Sequence, residues 1–239
     1  MKNAEYRKVV AVLVGALGFW GNTGLRADAQ AVRVRVDAGH VVRVVDARLF
    51  GINVVMWDGL LDTPETISAL RELDVQALRW PGGSPADDYH WALNRNGVNL
   101  WTWATPCSSF LHVATNIHAQ VFITVNYGSG TPEEAAAWVR CANITNHCGF
   151  KYWEIGNENY GNWEHDQNSP PHDPVTYAWR AKEFFSQMKA ADPTIKVGVV
   201  VALNWKERAG VLLDALKQFK SARSLPKHTR AGPPRCWRP

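Results

Sequence analysis

The sequence predicts an α/β protein whose strands form a partial (β/α)8 TIM barrel of about five βα units. Three observations favour this fold. Apolar segments bounded by turn residues alternate with amphipathic helical segments. The strand segments are too uniformly apolar to be half exposed, which is typical of a parallel sheet. Polar residues gather where these segments end, and barrel enzymes carry their chemistry at the carboxyl ends of their strands.

Five segments predict the strands of the sheet, at 50–57, 75–83, 119–128, 151–158 and 195–202. Amphipathic helices are predicted between them, at 63–73, 131–143 and 173–192. The first two helices share a start in which a threonine N-cap precedes proline and glutamate. This order implies right-handed βαβ units around a parallel sheet. An open doubly wound sheet is the alternative closure, but no glycine fingerprint follows the first strand, so dinucleotide binding is unsupported.

The two ends of the chain depart from the strand–helix pattern. Residues 1–29 predict a cleaved export signal, with a basic start, an apolar stretch and a small-x-small site near Ala29, so we expect a secreted or periplasmic protein. Residues 30–47 alternate apolar and polar side chains and predict a short N-terminal β-hairpin. The barrel is assigned to residues 48–220, and residues 221–239 are interpreted as an irregular basic tail.

Composition argues against several classes of protein. The 239 residues are 46% apolar and 20% charged, which is typical of a soluble globular protein. The net charge of +4 is concentrated in the C-terminal tail, so no nucleic-acid partner is predicted. Beyond the export signal, no segment is long and apolar enough to span a membrane. We expect no cofactor and no metal ion, because the histidines and cysteines show no ligand spacing. The oligomeric state stays open.

Cysteine and tryptophan each leave two interpretations open. In an exported chain, Cys141 and Cys148 could form a disulfide across the turn between them, or they could remain thiols. The chain has twelve tryptophans, many of them near Gly, Asn and Asp. Rings in such places often stack on sugars, although core packing is their commoner role.

The segment YWEIGNENYGNW, residues 152–163, ends an apolar strand in Asn157-Glu158. A charged carboxylate is costly to bury without a partner or a chemical role. Glycoside hydrolysis uses two carboxyl groups, one of which must hold a proton near neutral pH. We expect neighbouring rings to desolvate Glu158 and raise its pKa, as suits a proton donor. These rings are Tyr152, Trp153, Tyr160 and Trp163. The alternative role for Glu158 is a capping or ion-paired carboxylate.

Other polar residues also follow or end the predicted strands. Asn157 is placed to hydrogen-bond a sugar hydroxyl beside the reacting carbon. Glu154 lies four residues before Glu158 on the same strand face, roughly 13 Å away, which is too far for the two to act across one bond. An ion pair with Arg79 inside the barrel is therefore the favoured role of Glu154. Three aspartates are interpreted as loop carboxylates, namely Asp58, Asp87 and Asp88.

Three segments together resemble a known enzyme family. YWEIGNENYGNW resembles the acid/base segment of the α-L-arabinofuranosidases of glycoside hydrolase family 51, and more loosely of the wider clan of retaining (β/α)8 glycosidases. LRWPGGSPADDYHW, residues 78–91, resembles the family's Arg-x-Pro-Gly-Gly segment after strand two. VNYGSGTPEEAAAWV, residues 125–139, resembles its Asn-x-Gly segment after strand three. The three segments occur in the family's order between residues 48 and 202.

The resemblance implies roles for individual residues. It makes Glu158 the general acid/base, and it makes Asn157 and Asn126 contacts to the substrate. Arg79 becomes an active-site residue or a structural one. Three aromatic residues are predicted as further substrate-binding groups, namely Trp57, Tyr160 and Trp163.

The sequence also departs from the family. It has Ser84 where the segment after strand two usually continues with Asn. The family's nucleophile is a glutamate on strand seven, whereas only five strands are predicted here, so we expect a chain truncated at its C-terminus. Retention needs the second carboxyl about 5–5.5 Å from the first. A chain that lacks it is expected to be almost inactive.

The function predicted is therefore retaining hydrolysis of α-L-arabinofuranosyl groups on plant polysaccharides, with an oligo- or polysaccharide as the partner molecule. Two alternatives remain among carbohydrate-active proteins. One is another glycanase of the same clan, acting on xylan or β-glucan. The other is a carbohydrate-binding protein without catalytic activity. A gene fragment without a stable product is a third possibility, because a partial barrel leaves sheet edges uncovered.

Overall fold

The computed structural model describes residues 33–97 and 105–202, and these fall into two compact units that divide between Val44 and Val45. In the first unit, residues 33–44 are exposed and contain one turn, in which Asp37 Oδ1 accepts the Gly39 amide at 3.0 Å. No strand forms between residues 33 and 46, so the predicted hairpin is wrong over its described residues. A two-stranded hairpin that buries no apolar face is marginal in water.

The second unit alternates strands with helices. Its strands are β1 (Gly51–Asn53), β2 (Ala77–Trp80), β3 (Tyr89–His90), β4 (Arg95–Asn96), β5 (Gln120–Val125), β6 (Tyr152–Ile155) and β7 (Lys196–Val199). Its α-helices are α1 (Pro64–Glu72), α2 (Cys107–Ile117), α3 (Pro132–Val139) and α4 (Pro174–Ala191). Short 3-10 helices cover Ala47–Leu49 and Ser84–Asp88, and a π-helix covers Arg140–Thr145. The predicted export signal, the part of the predicted barrel after residue 202 and the basic tail lie outside the described residues.

One parallel sheet organises this unit. Its strand order is β1-β2-β5-β6-β7, and β3 and β4 form a separate antiparallel pair in the loop after β2. Each parallel strand therefore joins the sheet beside the strand before it, always on the same side. A doubly wound sheet instead reverses its order at a switch point. The described sheet has the arrangement of a (β/α)8 barrel segment, which confirms the predicted fold class.

Helix starts follow the signals in the sequence. The Thr63 hydroxyl accepts the Thr66 amide at 3.2 Å before α1, and Thr131 does the same for Glu134 before α3. Before α4, the Asp173 carboxylate accepts an amide at 2.8 Å. Each of these helices has proline in its first turn, where the missing N–H costs no hydrogen bond. The three predicted helices are confirmed.

Helix α2 was not predicted from the sequence. Its N-cap, Pro106, offers no side-chain hydrogen bond, so the usual start signal is missing. The buried residues of α2 still lie at helical spacing, namely Cys107, Phe110, Val113 and Ala114. This apolar stripe was the signal that would have identified the helix.

Aromatic rings fill the layer between the sheet and its helices. Trp80 stacks on Phe110 with ring centroids 5.0 Å apart. Trp138 of α3 stacks on Trp91 at 5.8 Å and meets the edge of Trp153 at 5.9 Å. These rings are buried, so most of the described tryptophans serve the core. Because side chains alternate along a strand, Tyr152 and Glu154 of β6 occupy the opposite face from Trp153.

Two further expectations concern thiols and membranes. Cys141 and Cys148 are not joined by a disulfide, so the thiol alternative holds. Burial raises the pKa of the Cys148 thiol to about 11. Within residues 33–97 and 105–202, every helix is too short or too polar to cross a bilayer.

Candidate active site

An open cavity of about 300 Å³ lies at the carboxyl ends of β6 and β7. This is the edge of a parallel barrel sheet where enzymes carry their active sites. The wall combines two polar strand-end residues, a tyrosine, an ion pair and small or apolar strand residues: Asn157, Glu158, Tyr160, Arg79, Glu154, Gly156, Gly198, Val199, Val200 and Val201. The cavity therefore brings together four of the residues predicted for the site.

An ion pair crosses the sheet beside this cavity. Arg79 of β2 donates from Nε to Glu154 Oε2 of β6 at 2.5 Å. Thr124, on the strand between them, donates its hydroxyl to the same carboxylate oxygen at 3.1 Å. Strand alternation explains the contact, since side chains at matching positions of neighbouring strands point to one face. The predicted pairing of Glu154 with Arg79 is confirmed.

A tight turn after β6 sets the direction of Glu158. Gly156 has φ +73° and Glu158 has φ +42°, both in the left-handed region. A Cβ atom on Gly156 would lie 2.1 Å from Asn159 Oδ1, so the close approach requires glycine. The Gly161 amide donates to the Glu158 carbonyl at 2.7 Å and closes the turn. A left-handed glutamate is uncommon and persists where the surrounding structure holds it.

Glu158 is exposed at the mouth of the cavity. The Tyr160 hydroxyl donates to Glu158 Oε1 at 2.8 Å, and this carboxylate raises the pKa of Tyr160. The predicted enclosure of Glu158 by four rings is wrong. Trp153 faces the helices, on the other side of the sheet. Tyr152 stacks on Phe122 with centroids 4.7 Å apart. The strand places Trp153 in the core and Tyr152 against Phe122, while the turn directs the glutamate outward.

The three aromatic residues predicted to bind the substrate do not all lie at the cavity. Trp163 meets Tyr160 edge-on with centroids 6.1 Å apart and is 64% exposed. Tyr160 is half-buried, so of these two rings next to Glu158 along the chain only Trp163 is exposed. Trp57 is 48% exposed and follows Met56, whose amide donates to Pro81. Tyr160 contributes to the cavity wall, whereas Trp57 and Trp163 do not.

Asn126 is buried and does not contribute to this cavity wall. Its Oδ1 accepts the Ser129 amide at 2.9 Å, and its Nδ2 donates to the Ser129 hydroxyl at 3.0 Å. That hydroxyl lies 3.0 Å from Asp88 Oδ1, to which it donates. The described contacts of Asn126 therefore organise the loop after β5. The substrate contact that the resemblance implies for Asn126 stays a prediction.

Asn157 is held from three directions. Arg79 Nη2 donates to its Oδ1 at 3.1 Å. Its Nδ2 donates to Glu164 Oε1 at 3.0 Å. Its backbone amide donates to Asp87 Oδ2 at 3.0 Å. The residue is buried, yet it contributes to the cavity wall beside Glu158.

Two buried carboxyl groups behind Asn157 were not recognised from the sequence. Asp87 was interpreted as a loop carboxylate and Glu164 was not assigned a role. Burial raises the pKa of Asp87 to about 8, and hydrogen bonds from Asn159 and Asn157 offset this only in part. Burial also raises the pKa of Glu164, against hydrogen bonds from Ser84 and Asn157. The available signal was that Asp87 lies inside one motif segment and Glu164 directly follows another, but burial depends on packing that a sequence does not display.

Ser84 completes the description of the site. The Ser84 hydroxyl donates to Glu164 Oε1 at 2.8 Å, so the residue that departs from the family pattern supports this buried carboxyl. Across the described ranges, no cluster of three or more His, Cys, Asp or Glu side chains is arranged to hold a metal ion.

Comparisons with known proteins agree with the motifs. No protein-family model matches the chain. It is 28% identical over 161 residues to the alpha-L-arabinofuranosidase C of Emericella nidulans, an alignment that covers 56% of this chain and 31% of that protein. Thus the chain spans about a third of the length of the curated relatives it matches.

Solved structures show the same relationship. The alpha-L-arabinofuranosidase from Thermotoga maritima, solved with arabinose, is 28% identical with a TM-score of 0.51, over 60% of this chain and 35% of that one. A family 51 alpha-L-arabinofuranosidase from Bifidobacterium longum gives a TM-score of 0.60 at 18% identity, over 73% and 43% of the two chains, and so supports the fold. Over the part that aligns, this chain is similar in sequence and structure to the family 51 α-L-arabinofuranosidases, as its three motifs predicted.

Proposed function

We propose that this protein is a retaining glycoside hydrolase of the α-L-arabinofuranosidase type, acting on arabinose-containing plant polysaccharides. One observation carries the proposal. Glu158 lies at the carboxyl edge of a parallel barrel sheet, in a cavity whose wall also includes Arg79 and Asn157. The same three residues belong to the segments that resemble the family's acid/base and Arg-x-Pro-Gly-Gly motifs.

Glu158 is the proposed general acid/base. In the first step its carboxyl gives a proton to the glycosidic oxygen while a second carboxylate displaces that oxygen and bonds to the sugar carbon. In the second step the Glu158 carboxylate takes a proton from water, whose oxygen attacks the same carbon, releases the second carboxylate and leaves Glu158 protonated again. The exposure of Glu158 permits proton exchange with solvent between turnovers. The Tyr160 hydroxyl fixes one carboxyl oxygen and leaves the other for the substrate.

The other carboxyl groups of the site are committed elsewhere. Glu154 is paired with Arg79, and Glu164 is buried beneath Asn157. Neither suits attack on a sugar carbon from within the cavity. The nucleophile that retention requires is therefore not assigned to a residue in the described ranges, and we expect slow turnover by this chain.

Hydrolysis of an aryl α-L-arabinofuranoside tests the proposal. Glu158→Gln keeps the shape of the side chain but cannot donate the proton, so kcat/KM should fall by at least about a hundredfold. Glu183→Gln is the matched control, because Glu183 is an exposed carboxylate on α4 that pairs with Arg180. Turnover by the wild type above the uncatalysed rate that Glu158→Gln leaves unchanged would contradict the proposal.

A carbohydrate-binding protein without catalysis is the second candidate. The exposed Trp163 ring, which meets the half-buried Tyr160 edge-on, favours it, since such rings stack on sugars. Calorimetric titration with arabinan oligosaccharides, run beside the hydrolysis assay, separates the two functions. Binding without any turnover would support the second candidate. A panel that includes xylan and β-glucan fragments would identify a different sugar specificity.

The proposed location is secreted or periplasmic. The support is the basic and apolar composition of residues 1–29 and the small residues around Ala29. Mass spectrometry of the protein recovered from the producing cells should find a mature N-terminus close to residue 30. Recovery of the intact N-terminus inside the cells would contradict it.

A further inference from the structure

The loop after β6 is held by two buried carboxyl groups to which the proposed catalytic steps assign no role. Asn157 lies between Arg79 on one side and these carboxyl groups, of Glu164 and Asp87, on the other. Asp87 is fully buried, and Glu164 is 4% exposed. Neither carboxyl contributes to the cavity wall, so neither is placed to touch a sugar there.

An asparagine amide can rotate by half a turn and exchange its oxygen and nitrogen, so only its partners fix which atom points where. The Arg79 guanidinium can only donate hydrogen bonds, so the end of the Asn157 amide that faces it must be the accepting Oδ1. The Glu164 oxygen that receives Nδ2 also receives the Ser84 hydroxyl. Both ends of the amide are therefore fixed, and the second Nδ2 proton remains for a ligand.

The backbone of Asn157 is fixed by the other carboxyl. Asp87 Oδ2 accepts the Asn157 amide and the Asn159 side-chain amide, both at 3.0 Å. Asn159 itself approaches Gly156, where the chain turns away from β6. Asp87 thus joins the segment after β2 to the turn that carries Glu158, and it does so in a site closed to solvent.

We propose that Glu164 and Asp87 are positioning residues for the sugar site: Glu164 fixes the rotation of the Asn157 amide, and Asp87 fixes its backbone. This inference rests on the proposed function, because it assigns the positioned amide to a sugar hydroxyl. Ser84 is part of the same arrangement through its bond to Glu164.

The test uses the full chain labelled with ¹⁵N-asparagine, so that the Asn157 side-chain amide is observed directly by NMR. Its signal is assigned by its loss in Asn157→Ala. Glu164→Met removes the acceptor and keeps the volume, so one Asn157 amide proton should lose the downfield shift of a carboxylate-bound proton. Glu164→Gln retains an acceptor oxygen and should preserve the shift. Asp192→Asn is the matched control, a buried carboxyl bound by Asn143 and Thr194 after α4.

Titration of the same proteins with an arabinan trisaccharide gives the second readout. Glu164→Met should lower the affinity about tenfold, the effect of one lost hydrogen bond, and Glu164→Gln should restore it. An unchanged Asn157 signal in Glu164→Met would overturn the inference, and so would a changed signal with unchanged affinity. A wild type that binds no arabinan while its Asn157 signal still responds to Glu164→Met would count against the proposed function and leave the fixed amide established.

Glu164→Met replaces a buried carboxyl, so the folded state of each variant is checked by its thermal transition. If Glu164→Met does not fold, Asp87→Asn tests the role given to the second carboxyl group, which holds the Asn157 backbone. It keeps an acceptor for both amides, so the Asn157 signals and the affinity should stay close to wild type. A tenfold loss of affinity in a folded Asp87→Asn protein would contradict the role given to this carboxyl.

Discussion

The carboxyl groups at the mouth of the cavity and those in the layer beneath it differ in solvent exposure and in hydrogen bonding. At the mouth, Glu158 is exposed and bonded by one tyrosine hydroxyl. Beneath it, Asp87 and Glu164 are buried, and each receives several hydrogen bonds, among them those from Asn157. A proton donor must exchange its proton with solvent, whereas a positioning group works best where water cannot compete. The difference predicts that substitutions in the buried layer change the free energy of unfolding most, and that substitutions at the mouth change turnover with little effect on stability.

The largest expected effect is the pH dependence that the buried layer imposes. Asp87 holds its proton in the folded protein up to a pKa of about 8, whereas an unfolded aspartate loses it near pH 4. Between these values the folded state binds more protons, so the free energy of unfolding should decrease as pH rises from about 4 to about 8. Glu164, whose pKa is also raised, contributes in the same direction. Glu164, Tyr127 and Tyr177 are titratable groups that interact electrostatically with Asp87.

Urea denaturation of the wild type and Asp87→Asn across this pH range measures the effect. The variant has no proton to lose at this position, so its decrease should be smaller. Asp192 is the informative control. Burial alone would raise its pKa, but hydrogen bonds from Asn143 and Thr194 outweigh burial and lower it. Its contribution is therefore lost as pH falls, and Asp192→Asn should change only the acid side. Parallel curves for the wild type and Asp87→Asn would contradict the protonated state of Asp87.

The next effect concerns the turn that joins the two regions. Gly156→Ala would place a methyl group against Asn159 at a left-handed backbone position, and should lower the free energy of unfolding by about 2 kcal/mol. It should also displace Glu158 and reduce arabinan affinity. Gly59→Ala is the control, since its added Cβ would meet nothing within 4 Å. Equal stability of the two variants would show that the turn is more adaptable than its contacts indicate.

The smallest effects on stability belong to the mouth. Tyr160→Phe removes one hydrogen bond to Glu158 and leaves its ring beside Trp163, so the free energy of unfolding should change much less than in Gly156→Ala. The kcat/KM for an aryl arabinofuranoside should fall about tenfold, because the carboxyl is no longer held. If Tyr160→Phe lowered the free energy of unfolding more than Gly156→Ala does, the small role of the mouth in stability would be contradicted.

Much of the fold follows from local patterns in the sequence. Five apolar segments became five parallel strands, and Thr63 and Thr131 cap helices as their spacing predicted. The pairing of Glu154 with Arg79 followed from strand alternation and the cost of an unpaired buried charge. Helix α2 was missed because its start has no capping side chain. The N-terminal hairpin was predicted from alternation alone, yet alternation produces strands only where a second surface covers the apolar face.

In the candidate site, too, some features follow from the sequence and others depend on tertiary contacts. Its residue types and strand-end positions are properties of the chain, so the sequence alone determined that Asn157, Glu158 and Arg79 would meet at one edge of a parallel sheet. The solvent exposure of Glu158, the burial of Asp87 and Glu164 and the side chains that bond Asn157 were decided by the tertiary structure. Burial and partner choice arise when segments distant in sequence close over one another, and no spacing along a single strand encodes that contact.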